Sequence, residues 1–425
     1  MHMEEIIYYV RDNYIEFLKY LSIPVGSGVI GWFTNWVAIK MMFYPIRFVG
    51  IRPYLGWRGI IPANAHHLAG KTTDLITRQL VNLPMLFKNF DPDTFVVKLG
   101  PVLDQTTEQI LDEAASKYGA AMWRSLAPDA QAQIRSLLRR EIETVALAIL
   151  RDFKANIEDI VDLKKVILQV VNEDREMFGR LFQKVGANEF RFIETSGAYF
   201  GFLFGIPQMI QWILWPQWYS LPVGGFVVGY LTNWLALKMI FEPREPKRYG
   251  PFVWQGLFHK RQKQVAIDFA DMVSGYFLNP ANIVRISSEG STGDKTRAIV
   301  RTHVNALIDR YLQHPMAPMV LMGQDQDALR TEVLGRIDEE FKKPGGFMHV
   351  FAGDSVNIFD ELKSRMEVLD SAQFEGILRT PMQQDEWKLI VTGGILGVAV
   401  GVVQVVYMYG DMLAAAAEKL PIALP

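Results

Sequence analysis

The sequence contains no cysteine. This absence excludes disulfide bonds, thiolate metal sites and a cysteine nucleophile. The net charge is −2, so the chain lacks the basic excess that favours binding to nucleic acid. It also lacks a phosphate-binding loop, a Ser-His-Asp set and a dinucleotide-binding fingerprint. We therefore predict no cofactor, no metal site, no catalytic residue and no nucleic-acid partner, and we expect that the protein is not an enzyme.

Charged residues are missing from three long stretches, which are Leu21–Ile39, Thr195–Leu237 and Leu389–Gly410. A helix rises ~1.5 Å per residue and a bilayer core is ~30 Å thick, so about 20 residues cross it. The middle stretch has 43 residues, enough for two spans, and its two prolines at Trp215–Pro222 predict a break. The pattern predicts four transmembrane helices, at 21–43, 195–214, 221–241 and 389–410.

The segments between these spans, 46–192 and 244–388, combine dense charge with apolar residues at helical spacing. We predict that each forms a soluble, helical domain. Residues 1–20 form an amphipathic stripe that fits either a helix on the membrane surface or an ordinary packing helix. The early residues are acidic, unlike a cleaved signal peptide, and 411–425 are expected to be a C-terminal tail.

The chain contains an internal duplication. Pro24–Pro45 returns as Pro222–Pro243 with 13 of 22 positions identical. Further matches keep an offset of 196 to 198 residues, as in Glu189 and Glu386. Two units with two spans each must have the same orientation. The predicted fold class is an all-α integral membrane protein of two tandem parallel repeats, each with two transmembrane helices flanking a helical soluble domain.

Basic residues near the ends of the spans predict the orientation. They are concentrated in the soluble segments, for example at Arg47, Arg58, Arg191 and Arg244, and are absent from the loop between the second and third spans. Because basic residues stay on the cytoplasmic side, the soluble domains are expected in the cytoplasm and the termini outside.

Polar residues of the duplicated helix form a candidate intramembrane site at Thr34, Asn35, Thr232 and Asn233. An amide in hydrocarbon is costly without a hydrogen bond, so each should face another helix or a wet cavity. The residues therefore line a polar site or simply bind helices together. The two copies of the duplicated helix, at Pro24–Pro45 and Pro222–Pro243, are called the motif helices. Close helix packing is predicted at glycines spaced by four and at their partners on the motif helices: Gly31, Gly197, Gly201, Gly205, Gly229, Gly393, Gly397 and Gly401.

Cationic residues near the ends of the motif helices are candidate contacts for lipid headgroups: Lys40, Arg58, Lys238, Lys260 and Arg261. The alternative interpretation is that the lysines are ordinary anchors whose stems reach the interface. Arg58 and the segment around Lys260 would then belong to interfacial turns.

The doubled signature TNW-A-x-K-M-x-F-x-P, with the turn Gly59–Asn64, resembles a bacterial membrane-protein family, the domain of unknown function numbered 445. The resemblance implies a multi-pass protein of the bacterial cytoplasmic (inner) membrane with helical cytoplasmic parts, and it implies no activity. The second copy departs from the turn, with Phe258–Arg261 in place of Ile61–Asn64. The two halves need not be equivalent in function.

Two hypotheses follow for function. The first is a non-enzymatic scaffold whose cytoplasmic helical domains bind a protein partner, each other, a second copy in a homo-oligomer, or membrane lipid. The alternative is a transporter or lipid-handling protein for an uncharged or amphipathic substrate, which would use the Thr-Asn pairs at the repeat interface. An uncharged path disfavours ion coupling, because ion relays normally need buried charged groups.

Overall fold

The structure is a computed structural model that describes residues 3–51, 55–118, 120–215, 217–313, 326–383 and 385–418. It is predominantly helical, as predicted. The chain forms two compact units. The first unit comprises residues 1–72, 174–269 and 366–425, and the second comprises 73–173 and 270–365.

The helices within the described residues are, in chain order, α1 (Met3–Phe43), α2 (Ile60–Leu75), α3 (Leu83–Lys88), α4 (Pro92–Lys98), α5 (Gly100–Tyr118), α6 (Ala120–Ser125), α7 (Pro128–Ala155), α8 (Ile157–Ile160), α9 (Leu163–Glu173), α10 (Arg175–Val185), α11 (Ala187–Leu214), α12 (Ser220–Phe241), α13 (Leu257–Lys260), α14 (Gln262–Met272), α15 (Pro280–Ser287), α16 (Gly290–Leu312), α17 (Gln326–Lys342), α18 (Phe347–Asp354), α19 (Ile358–Val368), α20 (Ser371–Gln383) and α21 (Glu386–Glu418). Two π-helical turns follow α2 and α14, at Ile76–Leu80 and Val273–Phe277.

Four long helices form the body of the first unit. Helix α1 packs along α11, and α12 packs along α21, while α11 also contacts α12 and α1 contacts α21. Among the described residues, two helical segments are long and apolar enough to cross a membrane, Ser220–Phe241 and Glu386–Val406. The other two predicted spans lie in α1 and α11.

The long helices run past the predicted span boundaries. Helix α1 is continuous from Met3, although we predicted a separate helix at 1–20 and a span at 21–43. Helix α11 begins at Ala187, inside the segment predicted as soluble, and α21 continues to Glu418, inside the predicted tail. The predicted boundaries follow the loss of charge, whereas backbone hydrogen bonding continues through charged residues.

Two short antiparallel hairpins interrupt the helical fold, and the sequence analysis did not predict them. Strands β1 (Val49–Ile51) and β2 (Leu55–Trp57) follow α1, and strands β3 (Lys247–Tyr249) and β4 (Phe252–Trp254) follow α12. Val49 pairs with Trp57, and Lys247 pairs with Trp254. Strands of three residues are too short to produce a recognisable alternation of apolar and polar positions.

The second unit has one aromatic core built from both predicted soluble domains. The Phe351 ring lies 5.8 Å from Phe87, 5.8 Å from Phe90 and 5.4 Å from Phe153, measured between ring centroids. Phe153 and Phe351 are almost completely buried. The structure therefore differs from the predicted pair of separate domains at 46–192 and 244–388, because the central parts of both segments share this core.

Equivalent helix starts occur in both parts of the second unit. The Asn82 side chain accepts a hydrogen bond from the Met85 backbone N–H at 2.9 Å, and Asn279 accepts one from Asn282 at 2.8 Å. Each asparagine caps a short helix with proline in its first turn, and each follows a π-helical turn. Such caps satisfy backbone donors that the first helical turn leaves free.

Candidate functional site

The repeated asparagines bind neighbouring helices of the first unit. Asn35 Nδ2 donates to the Ile193 carbonyl of α11 at 2.6 Å, and Asn233 Nδ2 donates to the Leu389 carbonyl of α21 at 2.7 Å. The adjacent hydroxyls, of Thr34 and Thr232, donate to carbonyls within their own helices, those of Gly31 and Gly229, at 3.2 and 3.1 Å. The structure therefore places the two Thr-Asn pairs on two different helix–helix contacts.

Glycines allow the backbones of the paired helices to touch. A Cβ atom added at Gly31 would lie 2.1 Å from the Gly197 carbonyl oxygen, and one at Gly229 would lie 2.2 Å from the Gly393 carbonyl oxygen. A Cβ atom added at any of the remaining glycines spaced by four would lie 2.0 to 2.6 Å from a backbone atom of the opposite helix: Gly201, Gly205, Gly397 and Gly401. No side chain fits between the backbones at these positions, so the two helices of each pair are in direct contact there.

The cationic residues divide into two groups. Lys40, Lys238 and Lys260 are exposed, and the Lys238 ammonium lies 4.9 Å from the centre of the Trp234 ring. Arg58 and Arg261 instead form hydrogen bonds to other groups of the protein. Arg58 Nε donates to the Ile46 carbonyl at 3.0 Å, while Arg261 reaches a buried carboxylate. The three lysines are thus the members of this group whose side chains are exposed, and Lys238 also lies 3.7 Å from a Glu242 oxygen.

That buried carboxylate is Glu189, near the start of α11. Its side chain is 1% exposed, and its Oε1 accepts a hydrogen bond from Arg261 at 2.8 Å. Its Oε2 is buried and has no partner among the described residues. The counterpart 197 residues later is Glu386, at the start of α21, which accepts hydrogen bonds from Arg379 at 2.8 and 3.1 Å. Helices α11 and α21 therefore each carry, near their first residue, a glutamate that is paired with an arginine.

A second buried carboxylate, Glu375 on α20, joins this network. It accepts hydrogen bonds from Arg244 at 2.6 Å and from Arg379 at 2.7 Å. Burial alone would raise the pKa of Glu375, but the hydrogen bonds and the positive charges of Arg244 and Arg379 together outweigh burial and hold the pKa below its ordinary value. The pKa of Arg379 is raised, first by its hydrogen bonds to Glu386. Both groups are therefore charged at neutral pH.

His259, on α13, lies beside Glu375. Its Nε2 is 3.1 Å from the Phe241 carbonyl oxygen and 3.7 Å from a Glu375 oxygen. Burial lowers the pKa of His259, and Glu375 offsets part of this effect. The ring is therefore neutral at pH 7, so Nε2 donates to the carbonyl. Its Nδ1 is buried without a partner among the described residues.

In the first half of the chain, aromatic residues stand at the positions that correspond to Glu375 and Arg379. Phe178 and Phe182, with ring centroids 5.0 Å apart, stand 197 residues before Glu375 and Arg379. Pro62 stands in the same way before His259. The sequence analysis noted the histidine but missed this exchange of an aromatic pair for an ion pair. The signal was available, since the same offset of 197 aligns these positions.

A cavity of about 50 Å³ lies between the ends of the four long helices and α2. Its lining is mostly apolar, and it also includes Glu189, Asn233 and Asp385. For comparison, an engineered apolar cavity of about 150 Å³ holds one benzene molecule. The cavity is therefore too small for a lipid chain.

Bacterial proteins named UPF0754 membrane protein are similar to the chain. The protein of Microcystis aeruginosa is 22% identical over 430 residues, which cover 91% of this chain and 96% of the relative. The protein of Synechococcus elongatus is 31% identical over 136 residues (28% and 31%), and that of Halalkalibacterium halodurans is 37% identical over 73 residues (16% and 19%). No protein-family model matches the chain, and no solved structure matches it either.

Proposed function

We propose that the chain crosses the cytoplasmic membrane four times, through α1, α11, α12 and α21. The proposal starts from its homology to bacterial proteins named UPF0754 membrane protein. This homology confirms the resemblance to a bacterial membrane family. The apolar composition of α12 and of 386–406 supports two of these spans. Large apolar side chains on the outer faces of α1 and α11 support the other two: Val29, Trp32, Phe33, Tyr199, Leu203 and Leu214. Exposed apolar faces of this size suit lipid rather than water.

We further propose that the two halves are parallel repeats with their soluble segments in the cytoplasm. The equivalent bonds from Asn35 to Ile193 and from Asn233 to Leu389 support equivalent halves. The distribution of basic residues near the helix ends supports the orientation.

The function that this geometry supports best is a non-enzymatic scaffold. The observation that carries the proposal is the backbone contact at the glycines, which closes both helix pairs. A carrier must open a path between helices, and the cavity of about 50 Å³ holds no lipid chain. The cytoplasmic helices would bind a partner protein, each other or lipid.

A second candidate, a transporter or lipid-handling protein, rests on a different observation. The amide oxygens of Asn35 and Asn233 are buried, and neither has a partner among the described residues. Asn233 also lines the cavity. A substrate with a hydrogen-bond donor would satisfy these oxygens if the helices separated.

A lipid-movement assay distinguishes the two candidates. The full chain is reconstituted in liposomes that carry a fluorescent phospholipid in both leaflets, and dithionite bleaches the outer leaflet. Because a closed bundle offers lipid no path, we expect the same bleached fraction as in protein-free liposomes. Extra bleaching that grows with protein content and disappears in Asn233→Leu would contradict the scaffold and support lipid handling.

A further inference from the structure

The two β-hairpins present apolar side chains to the outside. Val49 and Ile51 of the first hairpin are 62% and 76% exposed, and Phe252 and Val253 of the second are 76% and 65% exposed. Large apolar side chains that are exposed at neighbouring positions favour an interaction site. The feature occurs twice, each time directly after the end of a motif helix.

Both hairpins are held firmly to the ends of their helices. The Gly59 N–H donates to the Pro45 carbonyl, and the Gly256 N–H donates to the Pro243 carbonyl, each at 2.9 Å. Trp57 Nε1 donates to the Met41 carbonyl, and Trp254 Nε1 donates to the Glu242 carbonyl, each at 3.3 Å. The position of a hairpin is therefore set by the helix before it.

In a membrane-spanning α12, that position falls at the membrane interface. The 22 residues of α12 extend about 33 Å at ~1.5 Å per residue, close to the ~30 Å of a hydrocarbon core. The hairpin after Phe241 therefore starts where the hydrocarbon ends. The exposed lysines, Lys40 and Lys238, lie in the last turn of the two motif helices, as anchors at an interface do.

The charge of both hairpin segments is positive. Residues 44–58 contain three basic residues and no acidic one, and residues 243–254 contain three basic residues and one acidic one. Lys247 and Arg248 are exposed on the second hairpin, and Arg47 is exposed beside the first. Basic residues near a cytoplasmic leaflet attract anionic lipid.

Resting on the proposed membrane location, we propose that the two hairpins are docking elements for anionic phospholipid. The apolar side chains at Val49, Ile51, Phe252 and Val253 enter the headgroup layer, and the neighbouring basic residues bind the phosphates. The hairpins would fix the depth and tilt of α1 and α12.

Single cysteines test the proposal, because the chain has none of its own. Ile51→Cys and Val253→Cys variants of the full chain are labelled with the environment-sensitive fluorophore NBD and placed in nanodiscs. The quenchers are brominated phosphatidylglycerol and brominated phosphatidylcholine. We expect loss of emission at both hairpins, stronger with the anionic lipid. Lys247→Gln with Arg248→Gln should remove this preference at Val253→Cys.

Two control positions separate this proposal from the membrane location itself. A label at Val403→Cys, on the exposed face of α21, should be quenched by both lipids. A label at Val97→Cys, which is exposed in the second unit, should be quenched by neither lipid. Unquenched Val403→Cys would contradict the membrane location. With Val403→Cys quenched, hairpin labels as bright as Val97→Cys would overturn lipid docking. Equal quenching of the hairpin labels by both lipids would also overturn lipid docking. So would a hairpin label whose emission is blue-shifted but unquenched, because that result indicates contact with protein.

Discussion

Arg261→Leu is expected to destabilise the protein by about 3–5 kcal/mol, the usual cost of removing one partner from a buried ion pair. The Glu189 side chain is 1% exposed, and Arg261 is its cationic partner at 2.8 Å. Its other oxygen already has no partner among the described residues. The variant would leave a buried carboxylate without its cationic partner. The measurement is the free energy of unfolding in mild detergent.

Two control variants test the cause of this loss. Replacing both partners, with Arg261→Leu and Glu189→Leu, should restore most of the stability, because no charge then remains buried. Phe182→Arg should partly restore the stability that Arg261→Leu removes. Position 182 corresponds to Arg379, which donates hydrogen bonds to Glu386, so the new arginine would lie near Glu189 in the same way. A loss below about 1 kcal/mol, the range of exposed ion pairs, would show that Glu189 is accessible to water.

Gly197→Ala is expected to cost about 1–3 kcal/mol, the typical effect of overpacking, and a leucine there should cost more. The new Cβ atom would lie 2.3 Å from the Gly31 carbonyl oxygen and 2.6 Å from Asn35 Nδ2. The two helices would have to separate and stretch the bond from Asn35 to Ile193. Gly393→Ala should lose a similar amount, because its Cβ would lie 2.3 Å from Asn233 Nδ2. Thermal unfolding in detergent measures both.

The matched control is Gly70→Ala, a helical glycine with no neighbouring atom within 4 Å of the added Cβ. It should leave stability unchanged or raise it by about 0.5–1 kcal/mol, the propensity difference between the two residues. If Gly197→Ala behaves like Gly70→Ala, the helix backbones do not touch at this position.

Features that depend on local spacing could be predicted from the sequence. The glycines at i, i+4 and i+8 indicated close helix contacts, and Gly197 and Gly393 lie at such contacts in the structure. The aromatic, proline-containing stretch at 215–222 indicated a break, and α11 ends at Leu214 while α12 begins at Ser220.

Features that depend on distant partners could not be predicted. An amphipathic stripe shows that a helix face is buried, but it does not identify the partner. The meeting of Phe153 with Phe351, which joins two segments into one core, was therefore missed. Glu189 was recognised as a repeated residue, but its burial depends on Arg261, 72 positions away.

The central claim is that the halves have the same orientation and that both soluble segments share one side of the membrane. Single-cysteine labelling of intact cells with a membrane-impermeant maleimide tests it most directly. Trp218, in the turn between α11 and α12, is 64% exposed and is therefore a suitable labelling position. We predict that Trp218→Cys is labelled from outside, whereas Val97→Cys and Ser291→Cys are labelled only after permeabilisation. Labelling of Val97→Cys or Ser291→Cys in intact cells would contradict the account.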